Sequence, residues 1–255
     1  MRRSRMRSRR VPEPMGAEPI GAEPIRIAMW SGPRNISTAM MRAFENRRDT
    51  AVVDEPFYAA YLAATGLDHP MRDAVLAAQP TDWRDVRAAL LGPVPGDRPI
   101  HYQKHMAHHM LPAFGRDWID RCRNAFLIRA PERVLASYTE KRADVTLEDI
   151  GVVQQRELFE RACDRLGTAP PVIEAEDVLA DPAGMLRRLC QALGIDFSER
   201  MLAWPAGPRA SDGVWAPAWY DAVIRSTGFT RAARERPTAP PDTGLAAIAA
   251  AARPH

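Results

Sequence analysis

Short apolar runs alternate along the chain with stretches whose apolar positions recur at helical spacing. Ile25 to Trp30 (IRIAMW) has the length and density of a buried strand. Ser31-Gly32-Pro33-Arg34-Asn35-Ile36 follows and is turn-forming at its start. Ser37 then opens STAMMRAFENR, where Met40, Met41 and Phe44 share one helical face. A second strand is predicted from Thr50 to Val53, ending in Asp54-Glu55-Pro56, and a third from Ile100 to Lys104. Between them, residues 57 to 95 read as helical and irregular, punctuated by Pro70, Pro80, Pro93 and Pro95. Asn124 to Ile128 is a fourth strand ending at Arg129. Pro131 then suits the first turn of a helix that runs to about Arg142, with Val134, Leu135 and Tyr138 inward. A helix from about Leu147 to Leu166 and a fifth strand, Pro171 to Glu174, come next. Asp181-Pro182 caps a last periodic helix that Gly194 stops.

Apolar strands alternating with amphipathic helices imply a parallel sheet covered on both faces. The expected fold is a three-layer α/β/α domain over residues 25–234. A basic lead, residues 1–24, is expected to be disordered, and a Pro/Ala-rich tail, residues 235–255, to be weakly ordered. The 255 residues, 46% hydrophobic and 26% charged, are ample for one core. No apolar run reaches the roughly 18 residues of a membrane span, and no apolar stretch follows the N-terminal arginines as a secretory signal requires.

Charge changes the picture once it is localised. The net charge is +3, yet six arginines fall in the first ten residues, and the remainder carries 29 basic against 32 acidic residues. The body is slightly acidic, so the basic signal that could suggest nucleic acid or anionic lipid belongs to the lead alone. No specific nucleic-acid partner is expected. Three widely spaced cysteines, Cys122, Cys163 and Cys190, form neither a disulfide framework nor a CxxC metal pair, which fits a reducing cytoplasm.

In such sheets ligands bind beyond the carboxyl ends of the strands, where helix N-termini point. Four polar features fall there: Arg34 to Thr38, Asp54-Glu55, Lys104-His105, and Arg129 with Ser137. The first suits an anion, with successive backbone N–H groups, a hydroxyl pair opening a helix and one guanidinium. It lacks the lysine and second glycine of GxxxxGK[ST]. Of 35 basic residues only Lys104 and Lys141 are lysines, both far along the chain. Thr50 to Glu55 does look like the apolar strand plus acid that holds Mg²⁺ in ATPases, so a Mg-dependent kinase or ATPase is one alternative and a non-catalytic nucleotide-binding scaffold another. His105 and His109, spaced i and i+4, invite a zinc reading, but no clear third ligand accompanies them, and no metal is expected.

Two motifs give the chain its resemblance to the sulfotransferase superfamily, whose fold is P-loop-like. A basic residue–Ser–Gly–Thr/Ser–Thr/Ser pattern between a strand and a helix corresponds to Arg34-Asn35-Ile36-Ser37-Thr38. An apolar strand, Arg, x, Pro and a serine eight residues past the Arg correspond to Arg129, Pro131 and Ser137 in FLIRAPERVLASY. The stretch EDVLADPAGMLRRLCQALGIDF is similar to the family's later strand, loop and helix, and the likeness spans residues 25 to 230. Here Asn35-Ile36 replaces the family's Ser-Gly. A β-branched residue is poorly suited to the positive φ that glycine supplies, so the loop is expected to differ in shape.

The resemblance implies transfer of a sulfuryl group from 3′-phosphoadenosine 5′-phosphosulfate to a hydroxyl or amine of a small-molecule acceptor, without an obligatory metal. It gives Ser37, Thr38 and nearby N–H groups the 5′-phosphosulfate, and Arg34 the charge on the bridging oxygen. Arg129 and Ser137 would hold the 3′-phosphate. One branch of the family uses a histidine in a Lys-x-His setting as base, for which His105 is the candidate. Another uses a glutamate after the second strand, which Glu55 matches. Trp215, Trp219 and Tyr220 are candidates for the acceptor pocket or for the core, and Arg225 for a further cofactor contact.

Overall fold

The computed structural model describes residues 23–139, 145–230, 243–253 and 255. Five strands, β1 (Ile25–Ser31), β2 (Thr50–Asp54), β3 (Ile100–Met106), β4 (Arg123–Ile128) and β5 (Val172–Glu174), form one sheet in the order β2-β3-β1-β4-β5. Every neighbouring pair is parallel. The helices between them are α1 (Ser37–Glu45), α2 (Tyr58–Thr65), α3 (Arg72–Ala78), α4 (Trp83–Leu91), α5 (Pro131–Tyr138), α6 (Leu147–Ile150) and α7 (Val152–Leu166). After β5 come α8 (Ala175–Ala180), α9 (Pro182–Ala192), α10 (Ala216–Trp219), α11 (Asp221–Arg225) and α12 (Thr243–Ala252).

The alternation of side chains along a strand sorts the core into two layers. Ile27 and Met29 of β1 meet Met40, Met41 and Phe44 of α1 and Leu186 and Leu189 of α9. Ala28 and Trp30 point to the other face, among Val86 and Leu90 of α4 and Leu158 and Ala162 of α7. The three-layer α/β/α expectation therefore holds. β1 sits in the middle, with β3 on one side and β4 on the other. The chain crosses over β1 between β3 and β4, and such a switch point leaves a crevice beyond the strand ends.

Two of the expected elements differ in the structure, and a third falls partly outside the described residues. The helix expected over Leu147–Leu166 is broken at Gly151, whose φ of 69° lies in the left-handed region. A Cβ there would crowd the His108 backbone nitrogen at 3.1 Å. α5 ends at Tyr138, and most of its expected continuation lies outside the described residues. The C-terminal stretch expected to be weakly ordered contains α12, whose Ala249 and Ala252 are buried with Val134, Leu135 and Tyr138 of α5. Small side chains let this alanine-rich helix lie close to its neighbour. The basic lead falls almost wholly outside the described residues. No helix among those described is long and apolar enough to cross a membrane.

Candidate active site

β1 delivers the chain into the loop Gly32–Ile36, which must turn sharply to start α1. Gly32 is required by contact: a Cβ at this position would collide with the carbonyl oxygen of Ile150. Arg34 and Ile36 then adopt φ of 56° and 47°. The β-branched Ile36 thus takes the conformation for which it is poorly suited, and it does so packed against the α1–α9 core layer. Glu55, at φ 40°, is a third non-glycine residue in this region. Unfavourable backbone of this kind persists where surrounding contacts over-determine it.

The loop is tied down from three sides. Asn35 donates through Nδ2 to the Leu127 carbonyl at 2.6 Å, fixing it to the end of β4. Arg129 Nη1 donates to the Arg34 carbonyl at 2.8 Å, and Arg34 Nε donates to Ser137 Oγ at 2.9 Å. Arg129 is itself steadied by Glu176, whose Oε1 lies 3.0 Å from Nε. The two arginine-bearing motifs, 95 residues apart in sequence, therefore meet in one place.

That place is a cavity of about 500 Å³. The residues from Pro33 to Ala39 line it together with Arg129, Ser137 and Arg225. α1 begins at its wall with no side-chain cap and no acid in its first turn, and the first helical hydrogen bond runs from Met40 N–H to the Ile36 carbonyl. The earlier N–H groups and the positive end of the helix dipole are left for an anion. Glu55, Tyr58, His69, His108, His109, Trp219 and Tyr220 complete the lining, so an aromatic and imidazole wall adjoins the cationic one.

Asp54 and Glu55 stand beside Lys104 at the ends of β2 and β3, where Asp54 and Lys104 are register partners. Lys104 is fully buried and donates to Asp54 Oδ1 at 2.8 Å and Glu55 Oε1 at 2.6 Å. Burial pushes the Glu55 carboxyl above the usual carboxylate range, and Lys104 pulls it only part of the way back. Burial alone would depress Lys104, but the Asp54 and Glu55 carboxylates hold it above its ordinary value. Asp54 also accepts from Tyr220 OH and, through Oδ2, from the Gly213 N–H. Both Asp54 oxygens are therefore taken by protein donors.

The family model for the sulfotransferase domain matches residues 25–253. The chain belongs to that family. The resemblance carried by its two motifs thus extends over nearly all of the chain after the basic lead. Two curated relatives from Arabidopsis thaliana, branched-chain-amino-acid aminotransferase-like proteins 1 and 2, are 40% and 36% identical over 205 residues. Those residues are 80% of this chain but 36% of each relative, so the chain spans about a third of the curated relatives it matches. Among solved structures, the sulfotransferase domain of the Synechococcus PCC 7002 olefin synthase shares the fold. It superposes with a TM-score of 0.52 at 18% identity, over 92% of this chain and 97% of that one.

Arg34, Asn35, Ile36, Ser37, Thr38, Glu55, Arg129 and Ser137 all line the cavity. His105 does not. Neighbours along a strand face opposite ways, so Lys104 points to the α1 side while His105 lies on the other face. There His105 stacks on Trp30 at 4.4 Å and packs beside Trp118 at 5.3 Å. Burial drives its pKa down to about 3. His105 is a core histidine, and its candidacy as base is withdrawn. The zinc pairing fails for the same reason, because His109 is stacked between Tyr58 and Tyr61, away from the Trp30 cluster. Among the described residues no group of three or more His, Cys, Asp or Glu is placed to hold a metal.

Of the aromatic candidates, Trp219 and Tyr220 line the cavity, whereas Trp215 is buried and donates through Nε1 to Tyr220 OH at 3.0 Å. Sequence reasoning missed Lys104 as a partner of the acid pair and His108 and His109 as wall residues. A lysine kept inside an apolar strand, in a chain that otherwise uses arginine, was the available signal for the first.

Proposed function

We propose that the enzyme transfers a sulfuryl group from 3′-phosphoadenosine 5′-phosphosulfate to a hydroxyl of a small-molecule acceptor, with Glu55 as the base. The observation that carries this reading is the convergence of the Arg34 and Arg129 motifs on one cavity at the uncapped start of α1. A nucleotide with an anionic group at each end needs cationic groups at more than one point, and Arg34, Arg129 and Arg225 line the cavity. Ser37, Thr38 and the free N–H groups of α1 suit the 5′-phosphosulfate, and Arg129 with Ser137 suits the 3′-phosphate. The donor supplies an activated sulfuryl group; the protein supplies position and charge.

Sulfuryl transfer, like phosphoryl transfer, is chiefly a matter of alignment and electrostatic stabilisation. Arg34 then stabilises charge that grows on the leaving oxygen. Glu55 takes the acceptor proton. Its Oε1 is held by Lys104, while Oε2 receives no hydrogen bond from any described residue, and the side chain borders the cavity. A carboxyl raised by burial is a better base than an ordinary one, provided it is ionised at the working pH. Tyr58, His69, His108 and His109 lie along this wall. Burial depresses His108 to about 4 and His109 well below the ordinary imidazole value, so both are neutral near pH 7. A neutral wall with one carboxylate suits an uncharged hydroxyl compound better than a carboxylic acid, which Glu55 would repel.

Transfer of labelled sulfate from the donor to a panel of alcohols, phenols, amines and carboxylic acids tests the reading. Labelled product from a neutral hydroxyl compound is expected, with Glu55→Gln lowering turnover at least a hundredfold while donor binding is retained. Undiminished turnover in Glu55→Gln would remove Glu55 from the mechanism.

A further inference from the structure

Lys104 has three ammonium protons and three acceptors. Its Nζ lies 2.8 Å from Asp54 Oδ1, 2.6 Å from Glu55 Oε1 and 2.7 Å from Tyr220 OH, and the side chain is wholly buried. A planar guanidinium could not reach three acceptors arranged around a point, which gives a physical reason for a lysine here. With every proton assigned, none is left to contact a molecule in the cavity. The Tyr220 hydroxyl is shared in turn: it accepts from Lys104 and from Trp215 Nε1, and donates to Asp54. Asp54 thus has a hydroxyl, a backbone N–H and one proton of Lys104, whereas Glu55 has one Lys104 proton on one oxygen and Tyr220 OH only at 3.4 Å.

We infer that Lys104 is a positioning residue for the proposed base: it pins one carboxylate oxygen of Glu55, leaves the other toward the cavity, and joins the base to the Trp215–Tyr220 wall. The inference rests on the reading of Glu55 as base. The polar groups around Glu55 are Asp54 from the end of β2, Lys104 from β3 and Tyr220 from the α10–α11 turn. The imidazoles of His69, His108 and His109 lie on the same cavity wall. Glu55 is also fixed through its backbone, where its N–H donates to the Lys104 carbonyl at 2.9 Å and its carbonyl accepts from Gln79 Nε2 at 3.2 Å. One lysine therefore holds the base through side chain and main chain together.

Carboxyl-carbon NMR on the full chain, labelled at glutamate Cδ, reads the state of Glu55 directly, its signal being assigned by its loss in Glu55→Gln. Lys104→Met is expected to raise the Glu55 titration midpoint by one pH unit or more, a tenfold tighter hold on its proton. Asp54→Asn, which removes the competing carboxylate and leaves Lys104 to Glu55, is expected to lower it. Lys104→Arg does not restore the wild-type midpoint. Binding of 3′,5′-ADP by Lys104→Met stays within about twofold of wild type, because all three lysine protons are taken by Asp54, Glu55 and Tyr220. A Glu55 midpoint unmoved in both Lys104→Met and Asp54→Asn overturns the inference and leaves Lys104 a buried countercharge. Should Lys104→Met fail to fold, the downward shift in Asp54→Asn decides alone. Absence of 3′,5′-ADP binding by the wild type would count against the donor reading and not against this one.

Discussion

Ile36 shows how a side chain and its own backbone can be opposed. At φ 47° a β-branched residue carries a penalty of roughly 1–2 kcal/mol, while its side chain adds apolar contact to the α1–α9 layer. Removing the side chain separates the two effects. Ile36→Ala loses the contact and keeps most of the strain; Ile36→Gly loses both. Chemical denaturation should therefore find Ile36→Gly more stable than Ile36→Ala by about 1 kcal/mol, reversing the usual order of glycine and alanine. Alanine ranking above glycine would show that the loop does not hold this conformation. The loop proposed to bind an anion was legible from its residue types, because an arginine, two hydroxyls and a helix start need no long-range information. Its backbone was not. Ile36 takes the positive φ that its side chain disfavours, in a loop that contacts from β4 and α5 fix on either side of it.

Among the elements, strands and helices were read from periodicity with errors mainly at their ends. Interior β3 shows why faces were harder than elements. All seven of its residues are buried, so no alternation of polar and apolar positions tells which side each one faces. Lys104 and His105 looked equivalent in sequence, and only the register with β2 assigns the lysine to the acid pair. The break between α6 and α7 is a second case, since its cause is the approach of His108 to Gly151 across the fold. Gly151→Ala forces both a left-handed alanine and a contact with His108, costing about 1–3 kcal/mol. A thermal melt should show the midpoint falling by several degrees. An unchanged midpoint would mean that the α6–α7 turn is not held against the Ala107–His109 segment.

For the whole molecule, buried histidines couple stability to pH. Burial, the leading cause in each case, lowers His101 and His108 to about 4 and His105 to about 3, and brings His109 well below its ordinary value. Folded values below the unfolded value of about 6.5 mean that the unfolded chain binds more protons between pH 4 and 6.5. Stability from these groups is complete above pH 6.5 and is lost as the pH falls through that window. Each group contributes up to about 1.4 kcal/mol per pH unit. Glu55, raised in the folded state, works in the opposite direction but is one group against four. Urea midpoints measured from pH 7 to pH 4.5 should fall steeply, with uptake of more than one proton on unfolding. A flat profile would place these histidines in contact with water.

The proposal of a nucleotide sulfate donor rests on the convergence of Arg34 and Arg129 on a single cavity, and calorimetry with 3′,5′-ADP tests it most directly. The wild-type chain should bind that nucleotide whether or not EDTA is present, with Arg34→Ala and Arg129→Ala each weakening the affinity at least tenfold, the loss expected for a hydrogen bond to a charged phosphate. Binding that survives both substitutions unchanged, or that EDTA abolishes, would contradict the account.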